Sequence, residues 1–171
     1  MEERSRSTKI TRLVIGDIDG VIADCSERLK FIQNGEKNWD KFYGAEMAND
    51  EYIRMNGKLL KELSYCEPYQ LLFLTGRPER THELTRLWLN EHLGTTDYWI
   101  TCRKDGDHRK SPVVKAEMLV DFITNYGHLC DDDMRIYIFD DDPENLKAMA
   151  KALLDNNIYF YETFCVGTNR I

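Results

Sequence analysis

The sequence predicts an α/β fold, with a mostly parallel sheet between two layers of helices. Two observations predict it. Short apolar runs rich in β-branched residues alternate with amphipathic stretches of helical length. That alternation is what parallel strands joined by crossover helices require. Three of the runs also end in polar residues of catalytic type: Asp17 with Asp19, Thr75, and Asp140 with Asp141. In open α/β sheets the C-terminal strand ends form the ligand crevice, so one sheet edge would collect all three groups.

The first strand is expected over residues 12–16, where Leu13-Val14-Ile15 reads as a buried run. Side chains alternate along a strand, so Asp17 and Asp19 share a face if the extended geometry continues. Two such carboxylates repel unless a cation or a shared proton lies between them. The arrangement is costly for structure alone. It suits a magnesium site in which one carboxylate is a nucleophile and a second lies beside it.

Residues 25–63 separate the first two strands and hold Trp39, Phe42, Tyr43, Tyr52 and Ile53. We read them as a small, partly helical cap ending in the helix that returns to the sheet. Trp39, Phe42 and Tyr43 are expected to form the cap's core rather than a base-stacking platform. The second strand is expected over 69–75. A helix over 78–92 follows, ended by Gly94, with Leu84, Leu87, Trp88 and His92 along one face. The third strand covers 97–101.

Ser111 is expected to cap a helix that begins at Pro112, carries Lys115 near its start and ends at Gly127. The fourth strand covers 134–139. Asp142 then caps a helix that starts at Pro143 and runs to about Asn156. Asp131, Asp132 and Asp133 precede the fourth strand, so they are read as a solvated turn at the opposite edge. Residues 158–161 read as a further strand, with 164–166 as a short edge.

With 171 residues the chain is long enough for one domain and a small insertion. Residues 1–11 read as a flexible lead, polar and without an apolar signal core, and residues 12–171 as the domain with its cap at about 25–63. No stretch is apolar enough to span a bilayer. The five cysteines, Cys25, Cys66, Cys102, Cys130 and Cys165, are odd in number, scattered and without a CxxC pair. That argues for reduced thiols and a cytoplasmic protein, and against a disulfide framework or a zinc site. A formal net charge of −7 argues against extended coating of nucleic acid, which usually takes a basic face. Any polyanion contact must be local, and residues 103–110 are the best candidate. The sequence leaves the oligomeric state open.

The motifs DIDGV at 17–21, LTGR at 74–77, Lys115 and FDDD at 139–142 together resemble the haloacid dehalogenase superfamily of phosphohydrolases. A closer resemblance is to the phosphatase domain of phage-type polynucleotide kinase–phosphatases and their stand-alone relatives. It is carried by residues 74–79, 84–89, 106–110, 113–117 and 139–141, with 22–29 and 38–42 resembling the stand-alone members. It covers about residues 12–167. No Walker-type GxxxxGK[ST] phosphate loop occurs in the chain.

The resemblance implies a Rossmann-like three-layer α/β/α core with a small helical cap, and an aspartyl-phosphate mechanism. Asp17 would attack phosphorus. Asp19 would protonate the leaving alkoxide and then activate water. Magnesium would bind Asp17, the backbone carbonyl of Asp19, and Asp140. Thr75 and the Gly76 amide would hold a phosphate oxygen, and Lys115 would neutralise Asp17 and the transferring group. Asp141 would orient metal-bound water or Lys115.

Arg77 either binds substrate or anchors its turn through a carboxylate. Val21 stands where many relatives have threonine. Asp142 stands where closer relatives often carry arginine, which removes a positive charge near the site. The favoured substrate is a 3′-phosphate on a nucleic-acid end, with Arg103, Arg109 and Lys110 on the flanking phosphates. A phosphatase of free nucleotides or another small phosphomonoester is the alternative, and a catalytically silent binding module is a third.

Overall fold

β1 (Ile10–Gly16) is the centre of the molecule because it is apolar on both faces, as a strand covered by helices on each side must be. The computed structural model describes residues 9–33, 35, 37–65 and 69–166. Most of the expected N-terminal lead, and Cys66, lie outside the described residues. β1 pairs in parallel with β4 (Tyr69–Pro78) on one side and β6 (Cys130–Asp140) on the other. β5 (Trp99–Arg103) and β7 (Tyr161–Cys165) extend the sheet outward, again in parallel, giving the order β5-β4-β1-β6-β7.

The strand periodicity of two divides the core. Leu13 and Ile15 face one layer with Leu72, Leu74, Ile136 and Ile138, against α4 (Ser111–Tyr126) and α5 (Pro143–Asp155). Val14 faces the other with Leu71 and Phe73, against Leu60 of α2 (Arg54–Tyr65) and Trp88 and Leu89 of α3 (His82–Leu93). Each fully buried side chain of this kind contributes about 1.5–3 kcal/mol. No helix among the described residues is long and apolar enough to cross a membrane.

The cap lies between β1 and α2. It holds 3-10 turns at Ser26–Phe31 and Ala45–Asn49 and the one-turn helix α1 (Trp39–Phe42). A short antiparallel pair, β2 (Ala23–Asp24) and β3 (Glu51–Tyr52), closes its base. α2 then packs on β4 and β1.

Several boundaries differ from expectation for local reasons. Lys110, not Ser111, is the N-cap of α4: its backbone is extended and its carbonyl accepts from Val113 and Val114. Ser111 is the first helical residue, and the cap position makes no side-chain hydrogen bond. Gly94 does end α3, in the left-handed conformation at φ 63°. Asp142 does cap α5, accepting from the Glu144 amide. β6 begins at Cys130, so Asp131, Asp132 and Asp133 are the exposed start of a strand rather than a turn. The last strand is Tyr161–Cys165 rather than 158–161. The Ile158 amide still donates to Leu153 at the end of α5, and Asn157 turns the chain at φ 60°.

Candidate active site

The C-terminal ends of β1, β4 and β6 and the first turns of α4 and α5 meet at one edge of the sheet. Asp17 is the first residue past β1, and its amide donates to the Phe139 carbonyl at 2.9 Å, tying it to β6. Its carboxylate is buried. Lys115, on the first turns of α4, is buried beneath it. The Lys115 Nζ lies 2.7 Å from Asp17 Oδ2 and 2.6 Å from Asp140 Oδ2. Asp140 Oδ1 accepts from the Asp142 amide at 3.0 Å and from Asn145 Nδ2 at 2.9 Å. Asp141 completes the group: one carboxylate oxygen each from Asp17, Asp140 and Asp141 lie within 4.8 Å of one another.

One ammonium does not balance three carboxylates. Burial pushes the Asp17 carboxyl up to about 7, with Asp140 adding to the rise and Lys115 opposing it. Burial also raises Asp141, again with Asp140 adding. Burial disfavours the charged form of Lys115, but Asp17 and Asp140 outweigh it and hold the ammonium well above its usual range. Asp17 Oδ1 is buried and has no hydrogen-bond partner. A buried carboxylate oxygen without a partner, on one of three clustered carboxylates, fits a small hard cation with oxygen ligands. Gly20 closes the floor at φ +85°, and a Cβ there would collide with the Asp141 carboxylate.

Asp19 does not join that cluster. Its Oδ1 accepts from Arg28 NH2 at 2.7 Å and from Arg77 NH2 at 2.6 Å and Nε at 3.1 Å. Both arginines also bind Asp50. Arg28 donates to it through Nε and NH2 at 2.7 and 2.8 Å, and Arg77 through NH2 at 2.9 Å. Arg28 NH1 donates to the Phe42 carbonyl at 2.6 Å. Burial opposes ionisation of Asp19, but Arg77 and Arg28 outweigh it and hold its carboxyl below the usual range. Two cations and two anions thus form a neutral network joining the cap to β1 and β4.

Neither Arg28 nor Asp50 belongs to a strand-end motif, so the sequence does not single them out. The one signal it holds is the position of Arg28 inside the 22–29 resemblance. Arg77 is fully buried between Asp19 and Asp50, in the geometry of a carboxylate anchor. Thr75 is also fully buried, its Oγ1 accepting from the Arg77 amide at 3.2 Å.

A cavity of about 600 Å³ opens above the carboxylates. Asp17, Asp19, Lys115 and Asp141 form its floor, Gly76 one side, and Trp39 and Tyr43 of the cap another. Trp39 is 42% exposed, so it is not part of the cap's core; Phe42, at 5%, is. The rim opposite carries Arg103, Lys104, Arg109 and Lys110. They differ in availability. Arg109 is held by Asp107 at 2.8 Å and Glu117 at 2.7 Å. Arg103 ends β5 rather than lying in a loop, and NH1 donates only to the Asp107 and Arg109 carbonyls. Among the described residues Arg103, Lys104 and Lys110 make no ion pair.

A family model described as the phosphatase domain of the polynucleotide kinase PNKP matches residues 11–136. Among solved structures, the chain resembles one from the Pnkp1/Rnl/Hen1 complex, with a TM-score of 0.62 at 16% identity. The match covers all of this chain but 52% of that one, so the chain spans about half its length. The HAD domain of the effector protein Lem4 from Legionella pneumophila gives a TM-score of 0.59 at 12% identity, covering 95% of this chain and 90% of that one. A haloacid dehalogenase-like hydrolase from Streptococcus pneumoniae gives 0.54 at 12% identity, covering 85% and 81%. No curated protein matches the chain closely enough to count as a relative.

Proposed function

The chain belongs to the family of PNKP phosphatase domains, and from that premise we propose that it is a magnesium-dependent phosphomonoesterase acting on 3′-phosphates at polynucleotide ends. The observation that carries the reading is the cluster of buried Asp17, Lys115 and Asp140 with the more exposed Asp141 beneath a cavity, one Asp17 oxygen being left unpartnered. Magnesium, held by Asp17, Asp140, Asp141 and the Asp19 carbonyl, would supply the charge that offsets repulsion between a carboxylate nucleophile and a phosphate.

The chain's own residues do the rest. Asp17 attacks phosphorus, forming a P–O bond to its carboxylate as the bond to the leaving alkoxide breaks. Asp19, after taking up a proton against the pull of Arg28 and Arg77, gives it to that alkoxide. Water then attacks phosphorus, Asp19 takes its proton back, and the acyl-phosphate bond breaks to release phosphate and free Asp17. Arg28 and Arg77 favour ionised Asp19, the form that acts as base in the second half. Lys115 stays cationic throughout and neutralises charge on Asp17 and the phosphoryl group. The Gly76 amide holds a phosphate oxygen, with Thr75 shaping that turn from beneath. Arg103 and Lys110, free of carboxylates, receive substrate phosphates, and Arg77 acts through Asp19 rather than by contact.

A second reading, a phosphatase of free nucleotides or small phosphomonoesters, draws support from the net charge of −7 and from a cap whose Trp39 and Tyr43 wall the cavity. Phosphate release in magnesium from an oligonucleotide ending in a 3′-phosphate, set beside the matching 3′-mononucleotide, separates the two. The first reading expects the oligonucleotide to be preferred at low salt, with a shallow loss of preference as salt rises. Equal or better turnover of the mononucleotide would favour the second. Undiminished activity in EDTA would remove the metal from the account.

A further inference from the structure

The cap presents an aromatic surface to the reaction cavity that the phosphatase chemistry does not use. Trp39 and Phe42 lie on α1 and Tyr43 is its C-terminal cap, so the three rings share one turn of chain. Phe42 is the anchor. It is buried, and its ring lies under the Arg28 guanidinium at 4.6 Å. Trp39 packs edge-on against Phe42 at 5.8 Å and stacks on Tyr43 at 6.0 Å with the rings 17° apart. Arg80, which lines the same cavity, donates to Asp40 Oδ1 on that turn at 2.9 Å. Trp39 is therefore fixed in place yet 42% exposed, and it lines the cavity.

The polar groups beside it converge on Gly76. A Cβ placed there would lie 3.8 Å from the Tyr43 hydroxyl and 3.9 Å from Arg103 NH2. Arg103 Nε is buried without a partner, a donor that costs free energy until an acceptor reaches it. The lining of one cavity thus combines hydrogen-bond donors at Gly76 and Arg103 with the aromatic side chains of Trp39 and Tyr43. A phosphate and the base of its nucleotide would each find a partner in such a lining.

We propose that Trp39 is the stacking platform for the base of the leaving nucleotide, and so a specificity-determining residue. The proposal rests on the phosphatase reading above and deepens it. The substrate class it names is a phosphomonoester whose leaving group carries an aromatic base next to the reacting phosphate.

The test uses two oligonucleotides that differ only in the 3′-terminal residue, one with a base and one abasic, each ending in a 3′-phosphate. Phosphate release in magnesium gives kcat/KM for both. The wild-type protein should favour the substrate with the base by about fivefold or more, the smallest effect expected of base–aromatic stacking. In Trp39→Ala that ratio should fall to about one, and Trp39→Phe should restore most of it because a ring remains. A wild-type ratio near one overturns the proposal, as does a ratio that survives in Trp39→Ala. If neither substrate releases phosphate, the phosphatase reading fails and the platform fails with it. Release without preference for the base leaves the phosphatase standing and removes the platform alone.

Discussion

Removing the Arg28 side chain is the sharpest test of how the cap is tied to the catalytic edge. Arg28 is 2% exposed and donates to Asp19, to both oxygens of Asp50 and to the Phe42 carbonyl. In Arg28→Ala, Asp50 keeps one ion pair, that with Arg77 at 2.9 Å, and the Phe42 carbonyl loses this donor. Burial already pushes the Asp50 carboxyl upward against the pull of Arg28, so loss of Arg28 leaves a buried and poorly compensated charge. Breaking a buried pair in this way costs about 3–5 kcal/mol. Against a typical total of about 5–15 kcal/mol, that is a large part of the fold's stability. With a urea slope of about 2 kcal/mol/M, the unfolding midpoint should fall by about 1.5–2.5 M.

Asp50→Ala and the double variant complete the cycle. The double variant leaves Asp19 paired with Arg77 and no orphaned charge, so it should be less destabilised than the two single changes summed, by about 1 kcal/mol or more. A midpoint shift in Arg28→Ala equivalent to less than about 1 kcal/mol, the range of exposed pairs, would refute the reasoning. Strict additivity in the cycle would refute it too.

Other parts of the site make separate predictions. Gly20→Ala should cost about 1–2 kcal/mol for its left-handed backbone. It should also lower activity about tenfold to a hundredfold by displacing Asp141, and full activity with an unmoved Asp141 would contradict that role. Hydrogen bonds from Arg109 hold Asp107 down to about 2. The folded value lies below the unfolded one, so the stability this pair contributes is present above the ordinary carboxyl range. It is lost as pH falls through about 2. A carboxyl NMR titration should place Asp107 near 2 in the wild type and return it toward about 3.9 in Arg109→Ala. An Asp107 that titrates near 4 in the wild type would show the clasp absent in solution.

The sheet and the edge that holds the candidate site were legible because they obey short-range rules. Leu13, Val14 and Ile15 read as buried on both faces, and Pro112, Pro143 and Gly94 read as helix punctuation. Asp17, Lys115 and Asp140 could be brought together on paper because parallel strands deliver their C-terminal ends to one edge, and that is where the structure has them. Long-range pairing was not legible. Asp50 meets Arg28 and Arg77 across 22 and 27 residues of chain, and nothing local marks it. The exposure of Trp39 is not legible for a related reason: within one helical turn, composition does not tell which of Trp39 and Phe42 faces the core. The burial of Phe42 against Arg28 decides it.

The central claim is that Asp17 is phosphorylated in the reaction and that Asp19 is needed to release it. The direct measurement is to mix Asp19→Asn with magnesium and an aryl phosphate, whose leaving group needs no protonation, and to follow product release and peptide mass. A burst of one product per protein, little turnover afterward, and a phosphoryl group on the peptide carrying Asp17 are expected. Steady turnover without a burst, or a phosphoryl group on another residue, would contradict the claim.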